Sequence, residues 1–134
     1  VNWIDSTVKS LENGYRAQRM TPRKTKGQYS QLNIERIHLL LAQNMIHPQF
    51  EKAYRVICDT PFVYADDVLQ SLQANAAAWA FFQDLPGAYK RIKLASIELA
   101  RGDQELFQKR LNAFVKSCAQ GKLLAPSAGM EKYY

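Results

Sequence analysis

IDSTVKSLENGYRAQRMT, residues 4–21, reads in two ways, and the choice between them decides whether the chain is all-helical or carries a β element. Asn13-Gly14 supplies the two residues that best tolerate the positive φ demanded at the centre of a type I′ turn. That reading puts strands at about residues 4–12 and 15–21. Ile4, Val8, Leu11 and Tyr15 also fall at helical spacing, with Gly14 placed as a stop, so periodicity alone leaves a helix open.

Beyond this segment, Pro22 and Gly27 break regular structure, and the pattern then turns helical. Ile34, Ile37, Leu40, Leu41 and Met45 share one helical face over about residues 30–43, with Ser30 or Asn33 able to cap it. Pro48 suits the first turn of a second helix to about Cys58, burying Phe50, Tyr54 and Ile57, and Pro61 closes it. Residues 66–73 predict a third helix carrying Val68, Leu69 and Leu72. Asn75 caps an alanine-rich fourth with Trp79, Phe81 and Phe82. Pro86 opens a fifth, with Tyr89, Ile92, Ser96 and Leu99 as its apolar face, ending by Gly102. Asp103 caps a sixth to about Gln120 that aligns Phe107, Leu111, Phe114, Val115 and Cys118 before Gly121. The expected class is mainly α with a small N-terminal β-hairpin (α+β), with five to six short helices in a compact single unit.

At 134 residues the chain is long enough for one hydrophobic core, and no apolar run approaches a membrane span. No charged n-region with an apolar h-region is visible at the start of the chain, so the expected compartment is cytoplasmic, and upstream residues are expected to be missing. Cys58 and Cys118 lack CxxC spacing and read as reduced core thiols. His38 and His47 share no helical face, so no metal site is expected, and no cofactor is assigned. The formal charge of +6 is uneven. Residues 1–60 hold nine Lys or Arg against five Asp or Glu, and residues 16–26 hold five bases and no acid.

That basic run leads into RMTPRKTKGQYSQLN, residues 19–33, where a basic strand end meets the start of a helix. Unpaired N–H groups and the helix dipole favour an anion there. The candidate anion- or partner-binding residues are therefore Arg19, Arg23, Lys24, Lys26, Tyr29, Ser30, Asn33 and Arg36. Tyr15 and Tyr29 flank the bases as stacking groups do in nucleic-acid binders, although such charge alone supplies only salt-sensitive, non-specific affinity. Lys90, Arg91 and Lys93 read as the solvated face of an amphipathic helix. Asp66 and Asp67 read as a helix start rather than an acid/base pair. No phosphate loop, GxSxG or HExxH is present, so no catalytic residue is assigned.

Several segments in order resemble the YdeI/OmpD-associated bacterial family, also called bacteriocin-protection or OmdA-like proteins. They are W-I-D at Trp3 to Asp5, T-P-R-K at Thr21 to Lys24, and Y-S-x-x-N-x-E-R at Tyr29 to Arg36. L-P-G-A-Y-K at Leu85 to Lys90, I-E-L-A-R at Ile97 to Arg101 and K-R-L at Lys109 to Leu111 follow. In this register the resemblance runs from about Trp3 to Leu124. The family's W-I-D-G glycine is Ser6 here, and the Trp before its serine is Tyr29. A Thr-Arg pair is replaced by Leu106-Phe107, which dilutes the basic seam of the second half.

The resemblance implies the hairpin rather than the helix for residues 4–21. It implies a division into residues 1–60, as a shortened N-terminal part of a YdeI-like unit, and residues 65–124, as the helical OmdA-like region, while the Ala, Pro, Ser and Gly before MEKYY predict a flexible tail over 125–134. It further implies a small stress-tolerance or interaction protein linked to protection from bacteriocins or antimicrobial peptides. An acidic protein or small anion is then the expected partner. A non-specific nucleic-acid binder using Arg16 to Lys26, or an enzyme with a small anionic substrate in a cleft between the halves, are the alternatives.

Overall fold

The structure, a computed structural model, describes residues 3–22 and 29–124. Strands β1 (Trp3–Ser10) and β2 (Arg16–Pro22) form one antiparallel hairpin. Helices α1 (Gln31–Ala42), α2 (Pro48–Cys58), α3 (Asp66–Gln73), α4 (Ala76–Asp84), α5 (Gly87–Glu98) and α6 (Gln104–Ala119) follow. The protein is mainly α with a small β-hairpin.

The hairpin turn differs from the type I′ expectation. Gly14 is left-handed at φ 78°, whereas Asn13 keeps a negative φ. Gly14 N–H donates to Leu11 C=O (3.0 Å) and Leu11 N–H to Tyr15 C=O (2.8 Å). This is a three-residue loop closed by a glycine bulge, and Asn13 contributes through its Oδ1, which accepts from Tyr15 N–H at 3.2 Å. Register runs Ser10↔Arg16, Lys9↔Ala17, Val8↔Gln18 and Thr7↔Arg19, then shifts by one so that Asp5 faces Met20. The extra residue is Ser6, a β-bulge.

Helix ends follow local chemistry. Ser30, Asn75 and Asp103 cap α1, α4 and α6 by accepting from the N–H three residues on. His47 caps α2 through its imidazole, whose Nδ1 accepts from Gln49 N–H at 3.3 Å. Asn44 (φ 53°) and Gly121 (φ 63°) take the left-handed position after α1 and α6. Paired bonds Met45 to Leu40 and Asn44 to Leu41, then Lys122 to Ser117 and Gly121 to Cys118, make both ends Schellman motifs.

The main core lies wholly within α3–α6 and their connections. Val68, Leu72, Phe82, Tyr89, Leu94, Phe114 and Cys118 are among its buried members. Phe82 sets its edge on Phe114 at 6.2 Å and stacks on Trp79 at 5.6 Å. The α5 face differs from the expected one. Tyr89, Ile92, Leu94 and Ile97 are buried, whereas Ser96 is exposed and Leu99 is 80% exposed at the helix end. The α1 stripe is likewise thinner than its periodicity suggests. Only Ile37 of its apolar residues is buried, and Met45, past the helix end, is 67% exposed. On α2, Tyr54 is buried while Phe50 and Ile57 are half-buried.

Helix α1 packs on α2 and on α5, joining the first helical pair to the main core. Tyr89 secures the far end, its hydroxyl accepting from Leu124 N–H at 3.1 Å. The tail over 125–134 lies outside the described residues. Among the described residues, no helix is long and apolar enough to cross a membrane.

Candidate functional site

Two strands of alternating pattern bring the N-terminal cations together. Every residue from 8 to 19 is exposed, and among them are Lys9, Arg16 and Arg19 with a single acid, Glu12. The pairing Lys9↔Ala17 and Thr7↔Arg19 sets Lys9 and Arg19 diagonally on one face, while Ser10↔Arg16 sets Arg16 on the other. Val8, Leu11 and Tyr15 are 58%, 43% and 71% exposed on the same ribbon. None of the ion pairs among the described residues uses Lys9, Arg16 or Arg19. Arg23, Lys24 and Lys26 lie outside the described residues.

The rest of the expected site clusters on the first turns of α1. Ser30 Oγ accepts from Asn33 N–H at 3.4 Å, and Asn33 Oδ1 accepts from Arg36 Nη1 at 3.1 Å. Tyr29 places its ring edge-to-face on Tyr54 at 6.2 Å, which in turn lies 6.5 Å from Phe50. Ser30, Asn33 and Arg36 thus form a short hydrogen-bonded chain along one face of α1, and Tyr29 ties its entry to α2.

The opposite face of α1 holds what the sequence did not disclose. Glu35 is buried, and Arg91 of α5 grips it with two bonds, Nε to Oε1 at 2.6 Å and Nη2 to Oε2 at 2.8 Å. Gln31 Nε2 donates a third bond to Oε1 at 2.8 Å. Burial alone pushes the Glu35 carboxyl up, but the bonds from Arg91 and Gln31 together with the charge of Arg91 outweigh it, so the group sits below its ordinary range. Gly87 makes the space: a Cβ there would stand 3.1 Å from Arg91 Nη1. Arg91 reads by sequence as solvated charge with Lys90 and Lys93, and that reading fails for Arg91 and Lys93. Lys90 Nζ lies over the Phe82 ring (5.2 Å) and donates to Gln83 C=O (2.7 Å), and Lys93 Nζ lies over Tyr89 (5.5 Å). The only sequence hint was Gln31 and Glu35 at a four-residue step beside the apolar Ile34.

A cleft of about 370 Å³ opens beside this pair, between α1, the end of α2 and the segment leading to α3. Gln31, His38, Cys58, Thr60 and Arg91 are its polar lining, among Ile34, Ile57 and Phe62. A cleft between the halves therefore exists, but it takes none of Tyr29, Ser30, Asn33 or Arg36. Its chemistry is quiet. Both Glu35 oxygens are engaged, and burial, with the nearby negative charges of Asp59 and Glu35, pushes the Cys58 thiol up, away from thiolate. Among the described residues, no group of three His, Cys, Asp or Glu could hold a metal ion. Asp67 is engaged at the α3 start, accepting from Val68 N–H and from Arg101.

Residues 61–121 match the family model described as "Bacteriocin-protection, YdeI or OmpD-Associated", and residues 1–53 match a model described as a domain of unknown function (DUF8412). The YdeI/OmpD match is thus narrower than the Trp3 to Leu124 span of the motif resemblance. The match to the domain of unknown function ends inside α2, at residue 53, and the YdeI/OmpD match begins at residue 61, before α3. No curated protein and no solved structure matches the chain.

Proposed function

We propose that the chain, whose residues 61–121 match the model of the Bacteriocin-protection, YdeI or OmpD-Associated family, is an interaction protein of that stress-tolerance kind, which holds an acidic protein partner on its basic hairpin. The observation that carries this reading is the exposure of residues 8–19, where Lys9, Arg16 and Arg19 stand beside Val8, Leu11 and Tyr15. Cations interleaved with exposed apolar and aromatic side chains suit a partner that is acidic and partly apolar. Arg23, Lys24 and Lys26 extend the same charge along the chain towards Tyr29, Ser30, Asn33 and Arg36. Protection against cationic peptides works indirectly in this account, since a protein of charge +6 repels a cationic peptide at steering range.

The test is co-purification from cells with wild type and with Lys9, Arg16 and Arg19 changed to Glu. Acidic partners held by the wild type and absent from the variant support the reading. An unchanged partner set sinks it. Tyr15 beside Arg16 on the ribbon tip favours one second reading, a nucleic-acid binder by stacking and phosphate contact. Absence of DNA and RNA binding at about 50 mM salt removes it, because counterion release makes low salt the most favourable condition.

A further inference from the structure

We propose that the acidic partner docks as an extended segment that adds a third strand to the open edge of β1 at Thr7 to Leu11. The inference rests on the acidic-partner reading above and specifies its geometry. Leu11 N–H donates to Tyr15 C=O, so Leu11 and Tyr15 form an inward-bonded pair. Antiparallel pairs alternate between bonded and non-bonded, which makes Lys9↔Ala17 and Thr7↔Arg19 the bonded ones in this register. Val8 and Ser10 therefore direct their main-chain N–H and C=O groups away from β2, along an edge whose residues 8–11 are all exposed.

A two-stranded ribbon is marginal by itself in water, and a third strand is the ordinary remedy. The two edges are not equivalent. β2 ends in Pro22, which has no N–H to offer to a further strand. β1 offers β-branched Thr7 and Val8 instead.

Charge selects the occupant. A strand beside β1 meets Lys9 directly on one face. On the other face it meets the small Ser10, across which Arg16 stands as the cross-strand neighbour. Carboxylates are then favoured on both faces of the incoming strand. A second copy of this chain would bring Lys9 against cations of its own kind, so the same charges disfavour self-pairing. Main-chain bonds supply affinity and the cations supply selectivity, as in other strand-addition complexes.

Two labelled peptides of equal charge separate the geometry from simple charge attraction: Thr-Glu-Glu-Val repeats, and the same repeats with proline for Thr and Val. Titrated against the full chain by anisotropy, the strand-forming peptide should bind about tenfold or more tighter, the scale of a few main-chain bonds. Amide exchange at Val8 and Ser10 should slow in its presence. Val8→Pro removes an outward N–H, a place where an edge strand tolerates proline, and should erase the difference between the peptides. Equal affinities, or unchanged exchange at Val8 and Ser10 in the wild type, overturn strand addition. If that equal binding disappears in the Lys9, Arg16 and Arg19→Glu variant, acidic docking survives without it. No binding of either peptide overturns both.

Discussion

Arg91 and Glu35, 56 residues apart, meet through two bonds of 2.6 and 2.8 Å and lock α5 onto α1. Glu35 lies inside the segment that matches the domain of unknown function, and Arg91 inside the YdeI/OmpD-associated segment. The ion pair therefore joins α1 to the helical core alongside their packing contacts.

Breaking that pair from one side leaves a buried charge without its partner. Arg91→Met should cost about 2 to 4 kcal/mol in urea unfolding, less than a fully buried pair because the guanidinium is partly exposed. The double change Glu35→Leu with Arg91→Met should recover most of the loss. A double variant as unstable as the single would contradict the account.

The same carboxylate sets an acid limit. Its pKa is lower folded than its ordinary 4.5, so its stabilisation is full above that value and is lost as pH falls through the folded pKa. Wild type should lose stability more steeply than Glu35→Gln as the pH is lowered below about 4.5. Parallel acid-unfolding curves for the two proteins would show that Glu35 carries no linkage.

Cys118 is 1% exposed, and burial pushes its thiol up to about 11. The unfolded thiol ionises near 9, so the folded state loses stability relative to the unfolded as pH rises from 9 towards 11. In native protein at pH 8, a thiol reagent should modify Cys58 slowly and leave Cys118 untouched until unfolding. Cys118→Ser should cost about 1 to 3 kcal/mol by burying a hydroxyl among apolar neighbours.

Gly14 holds φ at 78° with open space around it, so a side chain there is opposed by backbone conformation rather than by contact. Gly14→Val should weaken the ribbon by about 1 to 2 kcal/mol and raise amide exchange over residues 8–19. Exchange in the main helices should stay unchanged, because their core lies within α3–α6.

The sequence disclosed those features whose signal is local. Pro48, Asn75, Asp103 and Gly121 mark helix ends by chemistry that acts within four residues, and the structure uses each of them. The turn type at Asn13-Gly14 was missed because the same dipeptide also serves a longer loop in which only glycine turns left-handed. The α5 face was misread because Ser96 and Leu99 keep helical spacing with Tyr89 while the partner helices cover Leu94 and Ile97 instead. Glu35 and Arg91 were invisible for a different reason. Nothing in a charged residue's neighbours announces that a partner from another helix will bury it. Of the expected binding residues, Tyr29, Ser30, Asn33 and Arg36 share the start of α1, and Arg19 belongs to the ribbon.

The central claim is that the ribbon is a surface for an acidic partner. A photo-reactive benzoylphenylalanine placed at Tyr15, 71% exposed, tests it in living cells, with Leu99, 80% exposed at the far end of α5, as the control position. The account predicts that position 15 captures an acidic protein that position 99 does not, and that changing Lys9, Arg16 and Arg19 to Glu abolishes the capture. The same proteins captured at both positions, or capture at position 15 that survives the charge reversal, would contradict it.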